Sequence, residues 1–168
     1  RTRFSIDDIR AVTGEGESAL SLSLKLGKPR SLDIASALLD RSDLAHTDAE
    51  NNRPLHLALR SGDLELASTM IDLGADLNAK DGNGDAPLHL ALKTGALEIA
   101  QKIITQIGVD LDLLDNNGDS SLILCMRAKL EDIGVMLVER GAHATEVPNW
   151  GDENIASDSP LNVAIKLG

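Results

Sequence analysis

The sequence predicts an all-α solenoid of stacked helix–turn–helix units, and three observations predict it. Arg53-Pro54-Leu55-His56-Leu57-Ala58-Leu59 returns 33 residues later as Ala86-Pro87-Leu88-His89-Leu90-Ala91-Leu92. Worn copies follow as Ser120-Ser121-Leu122-Ile123-Leu124-Cys125-Met126 and Ser159-Pro160-Leu161-Asn162-Val163-Ala164-Ile165. A fixed period of this length marks units that bury their apolar faces against one another. Each clear copy opens a short apolar face, breaks at a turn and continues into a second face at 3.6-residue spacing. Phe4 and Trp150 are the only aromatic residues among 168, which suits thin Leu/Ile/Ala layers shared between units.

The units are read in order as 16–47, 48–80, 81–114 and 115–146, with a partial fifth at 155–168. Residues 1–15 carry Phe4, Ile6, Ile9 and Val12 at roughly helical spacing, as the end of a preceding repeat or as a capping helix. The first unit holds Ser18-Ala19-Leu20 in place of the Pro-Leu motif, and Lys28-Pro29-Arg30-Ser31 lengthens its turn. In the second, Pro54 suits a first helical position, where a missing N–H costs nothing. Leu55, Ala58 and Leu59 form its first face, and Ser61-Gly62 breaks the helix. Leu64, Leu66, Ala67, Met70 and Ile71 form the second face, closed by Gly74 at a left-handed cap. The third unit repeats this with Leu88, Ala91, Leu92, Leu97, Ile99, Ile103 and Ile104, and one extra residue before Gly108. The fourth has lost the Pro and the His, and Lys129 stands where a helix-breaking glycine is expected. A polar loop, 147–154, then carries Trp150 ahead of the fifth unit.

Pro54-Leu55-His56 followed by Gly74-Ala75-Asp76-Leu77-Asn78-Ala79 resembles the ankyrin-repeat family. So does Pro87-Leu88-His89 followed by Gly108-Val109-Asp110, and the likeness extends from about residue 14 to 168. The resemblance implies antiparallel helix pairs with projecting β-hairpin fingers, about four full repeats plus truncated ends. It also implies that His56 and His89 tie their helix starts to the neighbouring hairpin. Within that family, Leu130-Glu131-Asp132-Ile133, then Leu137-Val138-Glu139-Arg140-Gly141-Ala142-His143-Ala144-Thr145 and the Trp150-Gly151 loop, are similar to the rabankyrin type of endosomal proteins. Those proteins join a BTB domain and ankyrin repeats to a FYVE zinc finger. Neither the BTB domain nor the finger occurs in these residues, so lipid and zinc binding are not carried over.

Composition narrows the function classes. A formal charge of −11, from 27 acidic against 16 basic residues, opposes nucleic-acid binding, whose affinity is dominated by phosphate contacts. Cys125 is the single cysteine, so no internal disulfide forms and a reducing, cytoplasmic setting is expected. No apolar run approaches the ~20 residues that span a bilayer, so no membrane insertion by this segment is expected. The start at Arg1 and the stop at Leu167-Gly168 suggest a segment of a longer protein.

No constellation predicts catalysis, a cofactor, a metal or a small-molecule substrate. His56 and His89 recur at the repeat period, whereas an active site needs unlike residues converging on one point. His46 and His143 have no Cys or second His at ligand spacing. Asp81-Gly82-Asn83-Gly84-Asp85 and Asp115-Asn116-Asn117-Gly118-Asp119 mimic calcium loops, yet Ala86 and Leu92, or Ser120 and Met126, occupy the positions that need Gly and Glu. Asp and Asn followed by Gly fit a tight turn instead. Cys125 aligns with Ala58 and Ala91 as a small core residue.

A cation recurs at one point of every inner helix: Lys25, Arg60, Lys93, Arg127 and Lys166. These residues either cap helix ends and screen acidic fingers, at ~0.3–1 kcal/mol per contact, or grip an acidic partner. Trp150 either anchors an interface or covers the gap left by the worn fourth unit. The expected function is a non-catalytic protein-interaction scaffold, a segment of a longer array. Its candidate contacts are Ala49, Glu50, Asn52, Arg60 and Ser61, their equivalents Gly82, Asn83, Asp85, Lys93, Thr94, Asn116, Asn117, Asp119 and Arg127, and Trp150. The rabankyrin likeness implies a Rab GTPase or trafficking factor as partner, in early-endosome trafficking or macropinocytosis, with association through other domains of the parent. A structural spacer, or an adaptor in unrelated cytoplasmic signalling, is the alternative.

Overall fold

The computed structural model describes residues 18–26, 38–39 and 44–143. Among them lie α1 (Ala19–Leu26), α2 (Pro54–Ser61), α3 (Leu64–Asp72), α4 (Pro87–Thr94), α5 (Leu97–Ile104), α6 (Ser121–Ala128) and α7 (Glu131–Glu139). Residues 1–15, the 147–154 loop with Trp150, and the partial fifth unit with Lys166 lie outside the described residues.

The helices fall in two rows. The inner row is α1, α2, α4 and α6, each packed on the next, and the outer row is α3, α5 and α7. Within each of the second to fourth units an inner helix pairs with the outer helix after it. The core is one continuous stack of Leu, Ile, Ala and Met, in which Leu55, Ala58, Leu59, Met70, Leu88, Ala91, Ile103, Cys125 and Leu137 are buried. Ala58, Ala67, Ala91 and Ala100 are fully buried, so the two rows approach through their smallest side chains.

Local sequence explains the helix ends. Pro54 and Pro87 open α2 and α4, and Gly62 and Gly95 close them at φ +77. In the fourth unit Ser120 replaces the proline's neighbour as a working cap, its hydroxyl accepting from the Ile123 N–H. Lys129 adopts φ +56, doing the work of the missing glycine in a conformation that costs an L-residue about 1–2 kcal/mol.

One expectation needs correction. Leu64 is 36% exposed and Leu97 half-buried, so the first position of these two outer helices is less covered than the rest of the apolar face. The expected fingers are short antiparallel reversals, with Leu114 and Ser120 bridged across one of them. Each finger is too short for strands and closes on itself, with the N–H of Asp48, Asp81 and Asp115 donating to the carbonyls of Asn52, Asp85 and Asp119.

Candidate interaction surface

Each finger is organised by its first aspartate. Asp81 Oδ1 accepts from the N–H groups of Asn83 (2.8 Å) and Asp85 (3.0 Å), and Asp115 repeats this with Asn117 and Asp119 at the same distances. Neighbouring fingers then join main chain to main chain. The Gly82 N–H donates to the Glu50 carbonyl at 3.0 Å, and the Asn116 N–H donates to the Asn83 carbonyl at 3.4 Å.

The two histidines bind each helix start to the segment leading into the next finger. His56 Nδ1 accepts from the Arg53 N–H at 3.0 Å, so its proton sits on Nε2, which donates to the Ala79 carbonyl at 3.0 Å. His89 does the same between Ala86 (3.1 Å) and Leu113 (2.9 Å). Burial pushes both imidazoles below their ordinary pKa, which keeps them neutral.

The four described cations of the inner row all meet finger acids. Lys25 pairs with Asp48 at 2.9 Å, Arg60 with Asp81, and Lys93 with both Asp85 (2.5 Å) and Asp115 (2.8 Å). Arg127 pairs with Asp119. The three pairs Lys25–Asp48, Arg60–Asp81 and Lys93–Asp115 each cross from one unit to the next. Their aspartate side chains are fully buried, while the cations keep about a third of their surface. Of the two readings of the cation row, this geometry supports the intramolecular one. It also raises the energy expected of each contact, because loss of the cation strands a buried carboxylate.

Titration follows from these contacts. Burial acts to raise the Asp115 carboxyl, but the Lys93 ammonium and the N–H groups of Asp119 and Asn117 outweigh it and bring it to about 2. Asp48 is likewise held below its ordinary value, burial being outweighed by Lys25 and Asn52. Burial opposes Lys93 too, yet its two carboxylates raise it. Burial alone pushes the Cys125 thiol up to about 12, so it is an inert core residue. Elsewhere His143 Nδ1 meets Asp112 at 2.5 Å, and the carboxylate raises the imidazole.

Among the candidate contacts, Asn52, Asp85 and Asp119 are 1%, 4% and 1% exposed. They hold the adjacent cations and leave little of their own surface open to direct contact. The other described candidates, from Ala49 to Arg127, are exposed. Glu50, Asn52, Arg60, Gly82 and Asn83 line a depression of about 290 Å³ between the second and third fingers. The sequence reading passed over Asp48 as a member of the ladder. The signal was present, since Asp48, Asp81 and Asp115 recur in step with the cations.

Among the described residues no group of His, Cys, Asp and Glu could hold a metal, and no helix is long and apolar enough to cross a membrane. A comparison with curated proteins gives no match. The family model described as ankyrin repeats (three copies) matches residues 3–81 and 73–147. With the paired helices, the finger turns and the histidine ties, this match establishes that the chain belongs to the ankyrin-repeat family.

Proposed function

We propose that the segment is a non-catalytic scaffold that docks a protein partner on the face formed by its inner-helix ends and finger tips. Ankyrin-repeat domains are in general interaction modules without catalysis. One observation carries the choice of face: exposed, variable residues recur on it in each of the three best-described units, on fingers already fixed by main-chain bonds. Variation there changes the surface without disturbing the frame. Ser61→Arg with Thr94→Arg places two long side chains on this face, and Thr69→Arg places one on the outer helix α3. A partner captured by the chain should bind the first variant at least about tenfold more weakly and the second unchanged. Equal binding by the unaltered chain and both variants moves the contact off this face, and failure to capture any partner supports the alternative, a spacer.

The narrower reading, a Rab effector in early-endosome trafficking or macropinocytosis, rests on the rabankyrin likeness of residues 130–151 alone. A FYVE finger downstream in the full-length protein supports it, and any other domain order removes it.

A further inference from the structure

The second finger differs from the third and fourth in where it keeps a carboxylate. In the third and fourth units an aspartate, Asp85 or Asp119, lies buried beside the cation, and the exposed tip is Asn83 or Asn117. In the second unit the arrangement is inverted, with Asn52 at the buried position and Glu50 at the exposed tip. Asn52 takes the aspartate's role toward the cation, its Oδ1 accepting from Arg60 at 2.7 Å. Its Nδ2 donates to Asp48 and to Glu50 Oε2, each at 3.1 Å. The displaced carboxylate is thereby tethered at the mouth of the depression.

The nearby charges are otherwise matched. Arg60 is answered by Asp81 and Lys25 by Asp48. Glu50 has no ion-pair partner among the described residues and is the unmatched charge of the depression. The two fingers approach closely beside it, since a Cβ at residue 82 would stand 2.6 Å from the Glu50 carbonyl oxygen, so glycine suits that position. The Asn83 side-chain amide, on the far rim, has no hydrogen-bond partner among the described residues.

Resting on the reading that this face docks a protein, we infer that the depression between the second and third fingers accepts an arginine side chain from a basic segment of the partner. A carboxylate with no opposite charge of its own and an amide acceptor, both lining ~290 Å³, suit a planar guanidinium. The field of a chain carrying −11 draws a basic segment toward it. The partner's charge is therefore opposite to the one that the cation row alone suggests, because those cations are already neutralised from beneath.

Amide chemical shifts of the 168-residue chain, titrated with an alternating Arg-Gly pentapeptide and its Glu-Gly counterpart, test this. The Arg-Gly peptide should move the amides of Glu50, Gly82 and Asn83. Glu50→Gln should weaken it about three- to tenfold, and Glu98→Gln, which removes the same charge from α5, less than twofold. Absence of shifts at those amides, equal binding of the Glu-Gly peptide, or equal weakening by the two variants overturns the site. A captured partner that is sensitive to Ser61→Arg with Thr94→Arg yet indifferent to Glu50→Gln also overturns it, and leaves the scaffold standing.

Discussion

His56 and His89 use both ring nitrogens on main-chain groups, and that choice has a pH signature. Their folded pKa values lie below the ordinary value near 6.5 because burial disfavours the imidazolium. Below that pH the unfolded chain binds protons that the folded chain refuses. Stability should therefore be complete above about pH 6.5 and fall as pH drops through it, by up to about 1.4 kcal/mol per pH unit for each imidazole. Urea midpoints at pH 7.5 and 5.5 measure the loss, and a His56→Asn, His89→Asn double variant should lose most of the slope. His143 acts in the opposite sense, since Asp112 raises it and its contribution fades as pH rises. Asp115, held at about 2, adds a separate acid limb between about pH 4 and 2. The repeated Pro-Leu-His made these histidines readable as structural from the sequence, since two copies at one period cannot form one active site.

At the scale of the helix, the fourth unit shows how a worn repeat keeps its shape. Ser120 substitutes a hydroxyl cap for the histidine tie, and Lys129 holds a left-handed turn without glycine. The φ of Lys129 matches the role of Gly62 and Gly95, so backbone strain is carried there with no visible return. Lys129→Gly should raise stability by about 0.5–1 kcal/mol and Tm by ~2–4 °C, read by thermal denaturation. A fall in Tm would mean that the lysine side chain makes a compensating contact. The helices themselves were legible because Pro, Gly and the 3.6-residue pattern agree. Leu64 was misjudged because periodicity places it on the apolar face, whereas coverage depends on how far the next helix reaches. The fingers were legible as chain reversals, but turn residues do not give the length of paired backbone around them.

Across the whole molecule, adjacent units are joined by three layers of contact: the apolar stack, the main-chain bonds between fingers and the ion pairs. The last layer makes an electrostatic test possible. Lys93 bridges Asp85 and Asp115, both buried, so Lys93→Met should cost about 2–3 kcal/mol. Adding Asp115→Asn should recover more than half of that loss. Lys102 spans α5 and α3 on the outer row through Ser68 and the exposed Asp72, so Lys102→Met should cost under about 1 kcal/mol. Urea unfolding of the three variants checks the ranking, and equal costs would show that burial of the acids is irrelevant. The cation row and its screening of finger acids were legible as one of two readings, but not which acid meets which cation. Its direction depends on where the finger folds back, which the spacing of Asp48, Asp81 and Asp115 only hints at.

The bonds from Gly82 to the Glu50 carbonyl and from Asn116 to the Asn83 carbonyl involve no side-chain atom of the tips they connect. Selection can therefore rewrite residues 50, 83 and 117 one at a time while the distance between reading positions stays constant. A lineage of such chains could change its targets by point substitution at a fixed pitch, with glycine at 82 among the few letters that it is not at liberty to edit.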